Sequence, residues 1–443
     1  MASIIAIMCN YCHYCCITLH YMTAERREIE SIDGPLSPTI NATDQGRDGI
    51  PAAEEWQPGP FQLRMHRISV GAIFFMHGLC FASWASRIPS IQEKLNLTAA
   101  ALGTVLFALP VGFFISLPFA GWFVGKVGSK KVVVLSAVLY GLSLVSIGIT
   151  SNALGLFFCL FSFGFFANLL NISINTQAIA VERLYKKKLM ASFHGLWSLA
   201  GFTGAAVGTW MIGNGFAPFP HYVLICVAFL IANIVCSFYL VTKDEGLDEK
   251  RPLFAMPDKP LIGLGIIAFC SMMAEGAMFD WSGVYFIKVV KVEAEFTGLG
   301  YTTFMIAMAG MRFMADGLSN RFGLKRILQA SGMMTTLGLL VAVLMPQMMT
   351  SLIGFFLIGM GVSSVVPLVY SAAGKSKTLS SGTALTAVSS LGFMGLLIGP
   401  PIIGFIAEAT SLRVSFLAIT VMSLAVVAFS SLMRDQPKPE QPL

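Results

Sequence analysis

The sequence predicts an all-α membrane protein with twelve transmembrane helices in two six-helix halves. Three observations predict this fold: few charged residues, apolar runs at regular intervals, and a basic segment that occurs twice. Of the 443 residues, 56% are hydrophobic and 12% are charged, whereas soluble domains contain about 25% charged residues. A soluble protein of this length needs more polar surface, so we expect a lipid bilayer around the chain.

From residue 66 onward, the apolar runs are long enough to cross a bilayer as helices. A span needs about 20 apolar residues, and β-strands are not expected because the runs lack alternating polarity. We predict spans at 68–88, 99–123, 132–150, 153–178, 191–213, 219–241, 261–287, 298–319, 327–345, 351–374, 382–407 and 413–433. The predicted parts are a bundle at 66–241, a linker at 242–260, a bundle at 261–433 and a tail at 434–443.

Residues 1–65 differ from the rest of the chain. Residues 1–21 are apolar but too short to span well, and they lack the basic start of a signal peptide. Residues 22–65 are acidic and contain Pro, Gly and Asn, which is typical of disorder. We expect a disordered extension, or translation that begins at Met22 or Met65. Closely spaced cysteines at 9–16 lack the second ligand pair of a zinc site.

The distribution of basic residues predicts the orientation. Eighteen of the 29 Lys and Arg lie in the connections after the even-numbered spans and in the C-terminal tail, whereas the opposite connections hold five. The positive-inside rule therefore places both termini in the cytoplasm. The cations occupy short connections instead of one continuous face, so no nucleic-acid partner is expected.

The basic segments GWFVGKVGSKK (121–131) and DGLSNRFGLKR (316–326) follow one pattern at a constant offset of 195 residues. The matched positions are Lys126, Gly128, Lys130 and Lys131 in the first segment and Arg321, Gly323, Lys325 and Arg326 in the second. A repeat at a fixed distance indicates a duplicated structural unit.

This pattern resembles the G-x-x-x-D-[RK]-x-G-x-[RK]-[RK] signature that members of the major facilitator superfamily carry after helices 2 and 8. The resemblance covers residues 66–433 and implies a transporter of a small molecule that works by alternating access. SWASRIP (83–89), SFHGLWSLAGFTGA (192–205), EGAMFDW (275–281) and LIGPPIIG (397–404) are similar to YbjJ-like bacterial inner-membrane proteins. That branch lies near the fucose-permease-like transporters, which implies a sugar-like solute. We expect a monomer in the bacterial inner membrane.

Both copies depart from the family signature. The acidic position is Gly125 in the first copy and Asn320 in the second, and Asp316 replaces the leading glycine of the second. In the family this acid caps a neighbouring helix and helps to hold the outward-open state, so we expect a weakened latch. The candidate gating residues are Lys126, Lys130, Lys131, His194, Asp316, Arg321, Lys325 and Arg326.

Ionisable residues inside the spans are functional candidates because a charge in a bilayer is costly. Glu275 lies midway along helix 7, where its protonation would depend on hydration and on a nearby cation. Arg312 of helix 8 is the expected partner in a proton-coupling site. The alternatives are a static Arg312 pair with Glu275 or Asp280, or an Arg312–Asp316 pair within one helix. Asp280 points about 140° away from Glu275 on an ideal helix.

Helix 4 carries Asn168, Asn171 and Asn175 on one stripe. We expect these amides either to bind a polar substrate or to join helices. Trp84 and Trp281 hold comparable places in helices 1 and 7 and are either walls of the cavity or interfacial anchors. Gly399, Pro400 and Pro401 predict a break or kink in helix 11.

No phosphate-binding loop or hydrolase motif is present, so we expect neither ATP use, nor an enzyme, nor a cofactor. The prediction is proton-coupled uptake of a small polar solute. Export of an amphipathic compound is the first alternative. The resemblance disfavours drug/proton exchange, because antiporters of the superfamily often carry a Gly-Pro motif in helix 5, which has no proline here. A sensor or assembly factor that does not transport is the second alternative.

Overall fold

The computed structural model describes residues 58–186, 189–242, 259–373 and 381–432. In these ranges we name twelve long helical segments α1 to α12, one for each predicted span. They are Pro60–Ser86, Ala99–Val127, Ser129–Ile149, Ala153–Tyr185, Met190–Gly213, Pro218–Ser237, Lys259–Tyr285, Leu299–Phe322, Leu324–Leu344, Met348–Ala373, Ser381–Ala409 and Leu412–Ser431. The predicted all-α fold class is confirmed.

Several helix boundaries differ from the sequence prediction. The first helix begins at Pro60, where proline suits the first turn of a helix, eight residues before the predicted start. The second helix is interrupted at Phe107, and α10 is interrupted after Val362. The extension at 1–57 and most of the linker, 243–258, lie outside the described residues, as does the tail at 434–443.

Ten helices in the described ranges are long and apolar enough to cross a bilayer, judged by length and composition alone. The exceptions are α5 and α8, which contain His194 and Arg312 respectively. These two helices pack on each other. Polar residues are tolerated in a bilayer where another helix or a cavity covers them, which is compatible with the packing of these two helices.

The two halves repeat one packing scheme, which agrees with the duplication predicted from the basic segments. In the first half, α1–α6, helix α1 packs on α5, α2 on α4, and α3 on α4 and α6. In the second half, α7–α12, helix α7 packs on α11, α8 on α10, and α9 on α10 and α12. Every pair of the second scheme lies six helices after its counterpart.

The two basic segments form the same backbone turn. Gly128 ends α2 with φ 85° and ψ 149°, and Gly323 ends α8 with φ 86° and ψ 153°. A left-handed φ of this kind favours glycine because a Cβ atom would clash with the backbone. The constant offset between the segments therefore corresponds to a repeated tight turn. We call the side of the bundle that carries these two turns the lysine-rich end.

Of the break or kink that Gly399, Pro400 and Pro401 predict in α11, the break is absent, and the kink stays a prediction. The helix continues from Ser381 to Ala409 through Pro400 and Pro401. The carbonyl oxygen of Pro400 would lie 2.7 Å from a Cβ atom at Gly103 of α2. The prolines thus lie where α2 and α11 approach closely, at the side of the bundle that we call the opposite end.

Candidate functional site

A charged cluster connects the two halves in the middle of the bundle. In α7, the Oε1 atom of Glu275 lies 3.3 Å from Nη2 of Arg312 in α8. The Nη1 atom of Arg312 donates a hydrogen bond of 2.9 Å to Oγ of Ser198 in α5. Arg312 therefore contacts a carboxylate of its own half and a hydroxyl group of the other half at the same time.

The cluster is partly accessible. The side chain of Arg312 is 27% exposed and that of Glu275 is 13% exposed, whereas Ser198 is buried. An ion pair with this degree of burial is less screened than a surface pair, and removal of one charge leaves the other poorly solvated. The protonation state of Glu275 can therefore change the contacts of Arg312, as a coupling site requires.

Among the described residues, the structure distinguishes Glu275 from Asp280 as the ion-pair partner of Arg312. Glu275 pairs with Arg312, whereas Asp280 is half-buried and has no hydrogen bond or ion pair with a described residue. The alternative Asp280–Arg312 pair is therefore absent in this conformation. The side chain of Asp316 lies outside the described residues, so the Arg312–Asp316 alternative stays a prediction.

Two tyrosines that the sequence analysis missed pack against α7, the helix that carries both carboxylates. Tyr301 of α8 is buried, and its hydroxyl group has no hydrogen-bond partner in the described part of the chain. Its ring lies 6.2 Å from that of Phe279 in α7. Tyr370 of α10 is half-buried, and its hydroxyl oxygen lies 3.9 Å from Sδ of Met272 in α7. Neither tyrosine belongs to a motif, so only the packing of α8 and α10 against α7 reveals them.

An aromatic layer joins the halves next to this cluster. The ring of Phe279 in α7 lies 5.5 Å from Phe81 of α1 and 6.2 Å from Tyr301. Phe81 in turn lies 6.1 Å from Trp197 of α5. Phe81 and Trp197 are half-buried, so part of each side chain is accessible to a solute.

Trp84 and Trp281 are not cavity walls or interfacial anchors in this conformation. Both side chains are fully buried, and neither indole nitrogen has a partner among the described residues. An anchor would place its ring at the membrane surface, and a wall needs accessible area. The partly accessible rings near the charged cluster are instead those of Phe81 and Trp197.

The three asparagines of α4 do not share one environment. Asn168 is buried, and its Nδ2 atom donates to the carbonyl oxygen of Phe113 at 3.0 Å and to Oγ of Ser116 at 2.7 Å. It joins α4 to α2, so it cannot contact a solute in this conformation. Asn171 and Asn175 are half-buried and bond mainly to each other, with Nδ2 of Asn175 lying 3.1 Å from Oδ1 of Asn171.

His194 lies one helical turn from Ser198, towards the lysine-rich end. It is exposed, and its ring contacts Phe74 edge-on at 5.4 Å. At the same end, Nζ of Lys126 lies 4.6 Å from the ring of Trp122, and Arg321 lies over Phe322. The contacts of Lys126 and Arg321 are local to one helix, and that of His194 stays within the first half, so the gating role of these residues stays a prediction.

At the opposite end the halves are in direct contact. Oε2 of Glu408 in α11 accepts hydrogen bonds from the amide groups of Ala99 and Ala100 in α2, at 2.9 and 3.4 Å. The start of α8 touches the end of α5 through Gly298 and Thr209. Glu408 belongs to no motif, and the sequence analysis did not identify it.

A bundle of membrane helices in two similar halves, with a charged cluster shared between them, defines the class of secondary transporters. The chain belongs to the Major Facilitator Superfamily, whose family model matches residues 70–379 and 264–443. It is therefore a secondary transporter and not an enzyme.

Comparisons with individual proteins agree with this assignment. The chain is 30% identical over 372 residues to an uncharacterized MFS-type transporter of Yersinia pestis, covering 84% of this chain and 96% of that protein. It is 31% identical over 373 residues to Membrane protein MosC of Rhizobium meliloti, covering 83% and 90%. Its fold is similar to that of the nucleoside transporter NupG, with a TM-score of 0.65, 14% identity and coverage of 83% and 98%.

Proposed function

We propose that this chain takes up a small polar solute together with protons across the bacterial inner membrane. The observation that carries the proposal is the connection of Glu275, Arg312 and Ser198 across the two halves. A proton on Glu275 would neutralise the carboxylate and weaken its attraction for Arg312. Arg312, which already contacts Ser198, would then be available to the solute, and the relative stability of the inward-facing and outward-facing conformations would change.

The proposed orientation has the lysine-rich end in the cytoplasm, in accordance with the positive-inside rule. The halves touch at the opposite end through Glu408 and Ala99, while Ser192 and His194 near the lysine-rich end are exposed. We therefore interpret the conformation as facing inward, with the site closed to the outside. Alternating access would require the contacts at the opposite end to open.

A sugar-like solute suits the groups next to the charged cluster. The rings of Phe81 and Trp197 are half-buried, and aromatic faces stack well on the apolar face of a sugar ring. Asn171 and Asn175 are the predicted hydrogen-bonding residues because both keep accessible amide area. The resemblance to the fucose-permease-like branch favours the same class of solute.

The test begins with a thermal-shift screen of sugars, sugar acids, nucleosides and drugs on the purified protein. The solute that stabilises it is then followed in proteoliposomes with an imposed proton gradient. We expect Glu275→Gln to abolish uphill accumulation and to retain counterflow, because exchange needs no net proton movement. Glu293→Gln, which changes an exposed carboxylate at the opposite end, serves as the matched control.

Accumulation against a gradient by Glu275→Gln would remove this residue from the coupling role. Net movement of solute out of proteoliposomes, driven by protons entering, would favour export instead. The same aromatic layer suits an amphipathic compound, so export is the alternative that the experiment separates. Absence of flux with every stabilising compound would favour the sensor or assembly factor.

A further inference from the structure

A groove at the lysine-rich end of the first half combines two cations with an apolar floor. It has a volume of about 590 Å³ and lies between the start of α3 and the end of α6. We call it the Lys130 groove, and it is lined by Lys130, Lys131, Val134, Leu135, Val138, Ser237 and Phe238. It lies apart from the charged cluster of the proposed transport site.

The surroundings of the groove indicate contact with lipid. Apolar side chains are exposed along the whole length of both helices, among them Leu135 and Leu142 of α3 and Ile231 and Ile234 of α6. Phe238, at the end of α6, is 75% exposed. In a membrane protein, such a continuous apolar surface faces acyl chains, so the groove opens where this surface meets the headgroup region.

The charge of the groove is unbalanced. Neither Lys130 nor Lys131 has a hydrogen bond or ion pair with a residue in the described ranges. No acidic residue lies in the first turn of α3, where both lysines are located. The N-terminal end of a helix carries a partial positive charge, which adds to the field of the two ammonium groups. The groove therefore favours a negatively charged group at its polar rim.

We propose that the Lys130 groove binds an anionic phospholipid of the leaflet at the lysine-rich end. The phosphate group would lie between Lys130 and Lys131, and one acyl chain would follow Val134 and Val138 towards the bilayer centre. Basic pockets between transmembrane helices recognise anionic headgroups in this way. A free phosphate ion would gain nothing from the apolar floor, so the combination selects a lipid.

The second half provides an internal comparison. Lys325 and Arg326 hold the equivalent positions at the start of α9, 195 residues later. However, the position equivalent to Val134 is Gln329. Its Nε2 atom donates a hydrogen bond of 2.8 Å to Oγ of Ser431 in α12. The second half thus has the cations of the groove, but a hydrogen-bonded amide replaces one apolar residue of the floor.

The test measures binding of dioleoylphosphatidylglycerol and dioleoylphosphatidylcholine to the purified full chain by native mass spectrometry. We expect tighter binding of phosphatidylglycerol, and a loss of affinity on the order of thirtyfold in Lys130→Ala/Lys131→Ala. Lys325→Ala/Arg326→Ala removes two charges at the equivalent turn and should keep the high-affinity lipid. Val138→Ser, with both lysines present, should weaken binding several-fold.

Unchanged phosphatidylglycerol affinity in Lys130→Ala/Lys131→Ala would overturn the proposal. Equal losses in the two double variants would also overturn it, because they would indicate general charge attraction. Displacement of the lipid by millimolar inorganic phosphate would identify a phosphate site instead of a lipid site. Unchanged affinity in Val138→Ser would exclude the apolar floor from recognition.

Discussion

The carboxylate of Glu408 in α11 accepts a hydrogen bond of 2.9 Å from the amide group of Ala99, the first residue of α2. It thereby binds the partially positive end of a helix that belongs to the other half. Gly103 and Gly404 allow the two helices to approach, since a Cβ atom at Gly404 would lie 2.5 Å from the carbonyl oxygen of Ala99. We infer that this contact stabilises the conformation in which the two halves touch at the opposite end.

Glu408→Ala should therefore shift the protein towards conformations that are open at the opposite end. The contact is solvent-exposed, so a charge at a helix terminus contributes about 0.3–1 kcal/mol. This corresponds to a change of about two- to fivefold in the ratio of closed to open molecules. Spin labels at Asn96 and Thr410, in a chain without other reactive cysteines, report the distance by double electron–electron resonance.

The matched control for this latch is Glu293→Ala, which removes an exposed carboxylate with no hydrogen bond in the described ranges. Glu408→Gln should have an intermediate effect because its amide oxygen still accepts a hydrogen bond but carries no charge. Distance distributions that are identical in Glu408→Ala and the unmodified protein would show that Glu408 is not a latch.

The hydrogen bond between Arg312 and Ser198 leads to a second prediction. Arg312→Lys keeps the charge but cannot hold the two contacts at once, because an ammonium group lacks the planar fork of guanidinium. We expect counterflow of the solute found in the screen to fall at least tenfold in Arg312→Lys, and several-fold in Ser198→Ala. Thr203→Ala, in α5 together with Ser198, is the control. It removes an exposed hydroxyl group that bonds only to its own helix and should leave counterflow unchanged.

The outcome that contradicts this second prediction is normal counterflow in both Arg312→Lys and Ser198→Ala. A loss of counterflow in Arg312→Lys alone would indicate that transport depends on the Arg312–Glu275 ion pair and not on the hydrogen bond between Arg312 and Ser198. Melting temperatures of all three variants distinguish a damaged fold from a damaged site, because a folding defect would lower the melting temperature together with counterflow.

Sequence reasoning predicted the parts of the structure that depend on local rules. Hydropathy located each helix, and the repeated spacing around Gly128 and Gly323 located two identical turns. Helical periodicity also placed Glu275 and Asp280 on different faces, although it could not show that Glu275 pairs with Arg312. That pairing depends on how α7 and α8 are rotated, which no local pattern determines.

The predictions for the asparagine stripe and for Trp84 differ from this conformation for a common physical reason. A stripe such as Asn168, Asn171 and Asn175 shows which residues share a direction, but it does not show which neighbouring helix covers part of that direction. The carbonyl oxygen of Phe113 and the hydroxyl group of Ser116 cover Asn168. Neighbouring helices likewise bury Trp84 in this conformation, and Tyr301 was missed because a single buried hydroxyl has no recognisable pattern.

The repeated turn gives a third prediction. Gly128→Ala and Gly323→Ala should each destabilise the protein by about 1–3 kcal/mol, because alanine is strained at these backbone angles. No heavy atom lies within 4 Å of a Cβ atom at Gly323, so the effect there would come from backbone strain and not from a clash. Gly121→Ala, at an equally open site inside α2, should be neutral or stabilising. Thermal unfolding in detergent compares the three variants, and equal melting temperatures would contradict the assigned turn.

The last prediction separates the asparagines of α4 into two roles. Asn168→Ala should lower stability by about 1 kcal/mol, since hydrogen bonds between membrane helices average about 0.6 kcal/mol and two are lost. The KM of the Asn168→Ala variant for the solute should remain unchanged.

Asn171→Ala and Asn175→Ala should raise KM several-fold with little change in melting temperature, because both residues are only partly buried. Thr176→Ala on the same helix is the control, since its hydroxyl group bonds only to its own helix. A raised KM in Asn168→Ala without a loss of stability would reverse the assignment and return this residue to the binding site.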